Sequence, residues 1–376
     1  VYEKIEYMNL RILQVITSLR VGGAEEVVVH LSARLRKLGC HVDIAVFDGE
    51  DSPLLRQASV KVFRLGHSAY DPRAIVKLIR VMRCYDIVHT HNSTPQFFAA
   101  VANIFRHKIL ITTEHNTNNR KRNRWLFRHI DYWMYRRYDA IVCISKVAES
   151  VLREYLGKRW RGLTSEYGRR IHTISNGVDL DAVETAVVLP ELERMRLSGK
   201  FLITMVAGFR KQKDQDTIIR ALTRLPDNFL LLLVGDGNRK SLLKELISEL
   251  SLQERVFFFG IRTDVFRILK SSDVIVMSSH WEGLSLSNIE GMCAGKPFIA
   301  SDVTGLREMT KGWGVLFKEG DDRELAQKIT LLAEDEIYYN SVAARCKIRA
   351  SQFDISKMVT AYQKLYEKEI NSPHHS

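Results

Sequence analysis

Paired cysteines, long apolar runs and a dinucleotide fingerprint are all missing from this sequence. Its five cysteines (Cys40, Cys84, Cys143, Cys293, Cys346) stand singly, with no CxxC and no His/Cys cluster at metal-ligand spacing. That pattern points to reduced thiols and a cytoplasmic protein, and no metal site is expected. The longest apolar runs, such as FLLLLVG and VFFFG, fall far short of the roughly 20 residues that span a bilayer. No transmembrane helix is expected. The opening apolar run is broken by Gln14, Thr17 and Ser18, which reads as a buried first strand and not as a signal peptide. Neither glycine turn, GG at 22–23 or GDGN at 235–238, completes GxGxxG or has a ribose-binding acid at suitable spacing. A nicotinamide-dependent oxidoreductase is therefore poorly supported.

What is present is an ordinary globular composition. The 376 residues are 45% hydrophobic and 27% charged, which is enough chain for two cores. The formal charge of +12 implies an anionic partner: nucleic acid, a phosphorylated substrate or an acidic membrane surface.

Short runs rich in Val, Ile and Leu alternate with amphipathic stretches, the pattern of parallel strands joined by crossover helices, so the fold class is α/β. The first series is RILQVI, HVDIAVF, VKVFRL, DIVHTH, ILITTE, AIVCIS and IHTIS; the second is FLITMVAG, FLLLLVG, RVFFFG, DVIVMSS and PFIASD. Two series predict two doubly wound domains. The stretch from Asn176 to Lys200 shows no clear strand, contains Pro190, and reads as the linker. After the first strand, Val27, Val28, Leu31, Leu35 and Leu38 make one helical face that Gly39 ends.

Ligands of such sheets bind beyond the carboxyl ends of strands, so the loops there carry most weight. Gly22 and Gly23 suit close approach of a phosphate to a helix start, and equally a plain strand-to-helix turn. His89, His91 and His115 end or follow strands near one rim; each taken alone reads first as a satisfied structural histidine, and hydrogen bonding to a substrate is favoured over a metal site. Arg210, Lys211 and Lys213 follow a strand, where cations suit a diphosphate whose charge rises as a bond breaks; a solvated loop reads the same way.

The segment SSHWEGLSLSNIEGMCAGKP sets Glu282 and Glu290 eight positions apart. Gly283 and the Ser/Leu turn place Glu282 in a loop and Glu290 one turn inside a helix. The N–H groups near Ser285 and Leu286 form an anion site with a carboxylate on either side. Carboxylates repel phosphate and bind hydroxyls, so a sugar at one end and a ribose at the other fit: a nucleotide sugar. Two surface glutamates remain the alternative.

In order and spacing, ITSLRVGGAE, VHTHN, TTEHN, CISKVAE, ISNGVD, VAGFRKQKD, LVGDGN, VFFFGIRTDV and EGLSLSNIEGMCAGKPFIASDVTGLRE resemble the retaining GT-B glycosyltransferases of family 4 over nearly the whole chain. The resemblance implies two Rossmann-like domains facing a central cleft. Residues 1–176 would be the acceptor domain, 177–352 the nucleotide-sugar domain, and 353–376 a helix crossing back to the first.

By the same resemblance, Glu290 would bind the ribose and Glu282 the transferred sugar. Arg210 and Lys213 would stabilise the departing diphosphate, with help from Gly283, Leu284, the N–H groups of Ser285 and Leu286, and the Gly22/Gly23 loop. His115 would contact the sugar near the reacting centre, and the backbone at Ile261 and Arg262 would read the base. Members of the family usually need no metal, so the resemblance implies a nucleotide sugar as substrate and no metal or other cofactor.

This chain departs from many relatives in placing Gly208 where they carry the diphosphate arginine, Ser285 where they carry glycine, and Thr304-Gly305 for a GG pair. The basic loop NRKRNR, with Arg120, Lys121, Arg122 and Arg124, could meet an anionic membrane or a lipid-diphosphate acceptor, and reads equally as a solvated loop. After it, Trp125, Leu126, Ile130, Trp133 and Met134 recur at helical spacing as a core face.

The function expected is transfer of a sugar, from a UDP-sugar, to a glycan or lipid-linked saccharide in bacterial surface polysaccharide synthesis. A nucleotide-sugar epimerase or hydrolase on a similar scaffold is the second reading. Nucleic-acid binding through the basic loop is a third that no motif supports.

Overall fold

The computed structural model describes residues 10–20, 22–115, 125–157 and 168–372, with the backbone alone at 125–127. The chain divides into two compact units, one running to Asn176 and resumed from Ser356, the other Gly177–Ile355.

The first unit is built on a seven-stranded sheet of order β3-β2-β1-β4-β5-β6-β7. Its strands are β1 Arg11–Ser18, β2 His41–Asp48, β3 Val62–Gly66, β4 Ile87–His91, β5 Ile109–Glu114, β6 Ala140–Cys143 and β7 Ile171–Thr173. Every pairing is parallel. Central parallel strands are covered on both faces, which is why they read as near-continuous apolar runs. In β1, Ile12, Leu13, Val15 and Ile16 are fully buried, each contributing about 1.5–3 kcal/mol relative to exposure.

The helix Gly23–Lys37 buries Val27, Val28, Leu31 and Leu35. Gly39 ends it in the left-handed region at φ 92°. That turn lets Cys40 N–H reach the Leu35 carbonyl at 3.1 Å and Gly39 N–H reach Arg36 at 3.0 Å, satisfying two carbonyls of the last turn.

A second helix, Ile355–Ile370, completes this unit from the far end of the sequence. Its Tyr362 and Tyr366 are buried, and their hydroxyls bond Thr113 at 2.9 Å and His89 at 2.7 Å. In the helix Trp125–Tyr135, Met134 is buried as the spacing predicts, joined by Tyr132 and Tyr135, while Trp133 packs against the core partly exposed.

The second unit has a six-stranded sheet of order β10-β9-β8-β11-β12-β13, again all parallel. The strands are β8 Phe201–Val206, β9 Phe229–Val234, β10 Val256–Gly260, β11 Val274–Met277, β12 Phe298–Ser301 and β13 Val315–Phe317. β13 is absent from the sequence reading because its VLF triplet stands alone between the glycine-bearing stretches GWG and KEG, whereas the equally short β7 lies within the longer run IHTIS. Segment 177–200 is also different from the expected linker. It forms the helices Leu180–Thr185 and Pro190–Leu197, with Pro190 in the first turn where its missing N–H costs nothing. Leu189 and Leu192 are buried with Leu202, Leu230 and Ile268, so the segment belongs to the second core.

In both sheets the strand order reverses beside the first strand of the unit. That leaves a crevice at the carboxyl ends there, and the candidate residues lie on the loops around it.

Candidate active site

In the first unit, Gly22 caps the helix Gly23–Lys37 with no side-chain bond, and Glu25 and Glu26 occupy the first turn. A Cβ on Gly22 would lie 2.5 Å from Glu25 Oε2, so a carboxylate already lies against the glycine turn. Burial, then the charge of Glu25, pushes the Glu26 carboxyl up to about 7. Near neutrality the Glu26 carboxyl is therefore only partly ionised.

Strand β4 alternates, so His89 and His91 share one face while Thr90 faces the other, where it meets Tyr138 Oη at 3.0 Å. His89 is held between Tyr366 Oη at 2.7 Å and Thr113 Oγ1 at 2.8 Å. Both ring nitrogens are engaged, so His89 ties the sheet to the helix Ile355–Ile370. It has no nitrogen left for a substrate contact, so of the two readings the structural one holds for His89. His91 bonds Gln14 Oε1 at 2.8 Å and His115 Nε2 at 2.9 Å. Burial lowers all three imidazoles, His89 to about 3, His115 to about 4, and His91 well below its ordinary value. They are neutral at pH 7.

In the second unit two loops are laced together. Gln212 Nε2 donates to the Trp281 carbonyl at 2.7 Å, His280 N–H to Gln212 O at 2.8 Å, and Ser278 Oγ to Asp214 O at 2.7 Å. These bonds hold the turn Lys211–Lys213 against the loop after β11. Lys213 Nζ then donates to Glu282 Oε1 at 2.5 Å, with the two side chains 19% and 7% exposed. Asp214, left-handed at φ 49°, carries a carboxyl raised by burial against the lowering effect of Thr217 and His280. His280 Nδ1 meets Glu319 Oε1 at 2.7 Å. Arg210 is exposed, and among the described residues its guanidinium has no hydrogen-bond or ion-pair partner.

The helix Leu286–Cys293 begins at Ser285, which has extended backbone and makes no side-chain cap. Its first N–H groups and the positive end of its dipole favour an anion. Glu290 lies one turn in, where its charge and burial help push the Cys293 thiol up to about 12, burial being the larger cause. Gly305 holds the loop from behind. A Cβ there would stand 2.2 Å from Gly283 O and 2.3 Å from Glu282 O, so only glycine lets the helix Thr304–Thr310 come this close.

Two family models match consecutive parts of the chain. The one described as Glycosyltransferase Family 4 matches residues 21–182, and the one described as Glycosyl transferases group 1 matches residues 193–352. The chain belongs to this family of glycosyltransferases. It is 26% identical over 317 residues, 79% of each chain, to the UDP-Gal:alpha-D-GlcNAc-diphosphoundecaprenol alpha-1,3-galactosyltransferase of Escherichia coli. It is 28% identical over 292 residues to the putative glycosyltransferase EpsD of Bacillus subtilis (strain 168), covering 70% of this chain and 73% of that one. Among solved structures, Anabaena Alr3699/HepE in complex with UDP-glucose superposes with a TM-score of 0.82 at 20% identity, over 95% of this chain and 100% of that one. The two sheets are those of the GT-B fold.

In this glycosyltransferase the structure brings Lys213, Glu282, Gly283, Leu284, Ser285 and Leu286 into one laced pair of loops, and puts Arg210 at the start of the same turn. Ile261 and Arg262 follow β10; Ile261 is exposed, and Arg262 donates to both oxygens of Asp264 at 2.7 Å. Gly22 and Gly23 start the first helix. Arg120, Lys121, Arg122 and Arg124 lie outside the described residues. Sequence reasoning assigned no role to Gln14, Gln212 or His280, and noted Gly305 only as the second residue of the Thr304-Gly305 pair. Gln14 had a signal, a lone amide inside an otherwise apolar buried strand; the other three act through contacts between segments far apart in sequence.

Proposed function

We propose that this glycosyltransferase moves a sugar, with retention, from a UDP-sugar to a glycan or lipid-linked saccharide. The observation that carries the reading is the uncapped start of the helix Leu286–Cys293 with Glu282 before it and Glu290 inside it. An anion-binding N-terminus bracketed by two hydroxyl-binding carboxylates matches a diphosphate with a sugar at one end and a ribose at the other. The name of the Escherichia coli relative supplies a UDP-sugar donor and a lipid-diphosphate acceptor, and the Anabaena structures contain UDP and UDP-glucose.

In this reading the acceptor hydroxyl attacks the anomeric carbon on the face from which the diphosphate departs. The bond from that carbon to the phosphate oxygen breaks, a bond to the acceptor oxygen forms, and the acceptor proton passes to the departing phosphate. Negative charge grows on the diphosphate, where Arg210, Lys213 and the N–H groups of Ser285 and Leu286 offset it. These supply positive charge without a metal. Glu290 accepts from the ribose, Glu282 and His115 meet hydroxyls of the sugar, and the backbone at Ile261 reads uracil. The setting in this reading is synthesis of a bacterial surface polysaccharide; support comes from the lipid-linked acceptor in one relative's name and lipopolysaccharide core biosynthesis in another's.

A thermal-shift panel of UDP, GDP, ADP and their common sugars tests the donor, because a ligand that binds only the folded state raises its melting temperature. The expected result is a shift with UDP and UDP-sugars that Glu290→Ala weakens. No shift with any nucleotide would sink the reading.

A further inference from the structure

The side chains behind His115 form a directed chain of hydrogen bonds. Gln14 lies in the middle of β1, fully buried, with Nε2 donating to Tyr366 Oη at 3.3 Å and Oε1 meeting His91 Nε2 at 2.8 Å. An amide oxygen only accepts, so His91 carries its proton on Nε2. A neutral imidazole has a single N–H, so His91 Nδ1 is bare and must accept the bond from His115 Nε2 at 2.9 Å. That bond puts the His115 proton on Nε2. Among the described residues His115 Nδ1 has no hydrogen-bond partner, and it is the side chain's remaining polar atom.

We propose that Gln14 and His91 are positioning residues that fix His115 as the Nε2–H tautomer, so that its Nδ1 offers a lone pair to a hydroxyl of the transferred sugar. The proposal rests on the reading of His115 as a sugar contact and deepens it by stating the direction of the bond. A bare nitrogen accepts from a hydroxyl and cannot donate to a phosphate or carbonyl oxygen. The low proton affinity that burial gives both rings keeps them neutral, as the relay requires. Tyr366, held at the same time by His89 Nδ1 at 2.7 Å, orients the Gln14 amide from the other side.

Nitrogen-15 NMR of the histidine side chains reads the tautomer directly on the whole protein at pH 7, with no donor added and His115 assigned by its loss in His115→Asn. The expected spectrum has a protonated Nε2 and a bare Nδ1 on His115. Gln14→Met removes the amide oxygen and should let the His115 signal move toward a mixture of tautomers. Gln14→Glu keeps an acceptor oxygen and should restore the wild-type form. With UDP-sugar turnover as a second readout, Gln14→Met should lose about tenfold, the scale of one neutral hydrogen bond, and Gln14→Glu should regain part of it.

A wild-type His115 protonated on Nδ1 would overturn the proposal, since it means the amide is reversed and every donor with it. So would a Gln14→Met protein whose His115 tautomer is unchanged. The wild-type spectrum needs no variant, so the test stands even if Gln14→Met does not fold. Because the spectrum needs no nucleotide, a failed UDP panel would remove the donor reading without touching the tautomer result.

Discussion

Lys213 Nζ donates to Glu282 Oε1 at 2.5 Å, joining the residue assigned to the diphosphate to the residue assigned to the sugar. The two are 69 positions apart in sequence and meet because the turn after β8 is laced to the loop after β11. With Glu282 only 7% exposed, removing the lysine alone leaves its carboxylate buried without that cation. Lys213→Met should cost about 3 kcal/mol of stability in urea denaturation. Adding Glu282→Gln should recover most of it. Independent, additive losses would show that the two side chains are not coupled.

Arg210 is the contrasting case. It is exposed and unpaired among the described residues, so Arg210→Ala should leave stability within about 0.5 kcal/mol of wild type. Turnover should fall about a hundredfold, the scale of losing one donor to charge that develops in the transition state. Wild-type turnover in a normally folded variant would remove the diphosphate assignment.

Gly305→Ala should damage the donor loop from outside it. The added carbon would meet Gly283 O and Glu282 O at 2.2 and 2.3 Å, and backbone cannot swing away as a side chain can. A loss of about 1–3 kcal/mol should accompany weaker UDP binding by calorimetry. Gly312→Ala is a control for backbone strain alone, since Gly312 has φ 82° but open space around it. Unchanged UDP binding in Gly305→Ala would show that this contact does not shape the donor site.

Acid should destabilise the first unit. Burial lowers His89 and His115 from the ordinary 6.5 to about 3 and about 4, and lowers His91 as well. Groups with depressed values contribute stability above pH 6.5 that is lost as the pH falls toward their folded values. Each contributes a slope of up to about 1.4 kcal/mol per pH unit. Glu26 works the other way, raised from 4.5 to about 7, so its contribution is present below pH 4.5 and lost as pH rises through 7. Three imidazoles outweigh one carboxyl, and melting temperature should fall between pH 6.5 and 4.5, more steeply in Glu26→Gln. A flat profile over that window would show that the imidazoles do not stay neutral and buried.

The sequence carried the strands of both sheets except β13, because parallel strands buried on both faces read as apolar runs, whereas β13 is an isolated VLF triplet between glycine-bearing stretches. Pro190 was legible as an interruption, but its meaning depended on Leu189 and Leu192 meeting Leu202 and Ile268, which no local pattern reveals. The loop position of Glu282 and the helical position of Glu290 were readable because glycine and serine punctuate the chain between them. His89 read first as a structural histidine, and the structure agrees. Alternation put it on the face of His91, and only the returning helix Ile355–Ile370, with Tyr366 and Tyr362, makes that face interior at His89.

That returning helix also orders the events of synthesis. The second unit is one unbroken stretch, Gly177–Ile355, while the first is written in two pieces that enclose it. A ribosome therefore delivers everything the second unit needs before it delivers Tyr362 and Tyr366, and His89, Thr113 and Gln14 wait with their polar groups unsatisfied by those hydroxyls until then. The unit translated first is the unit finished last.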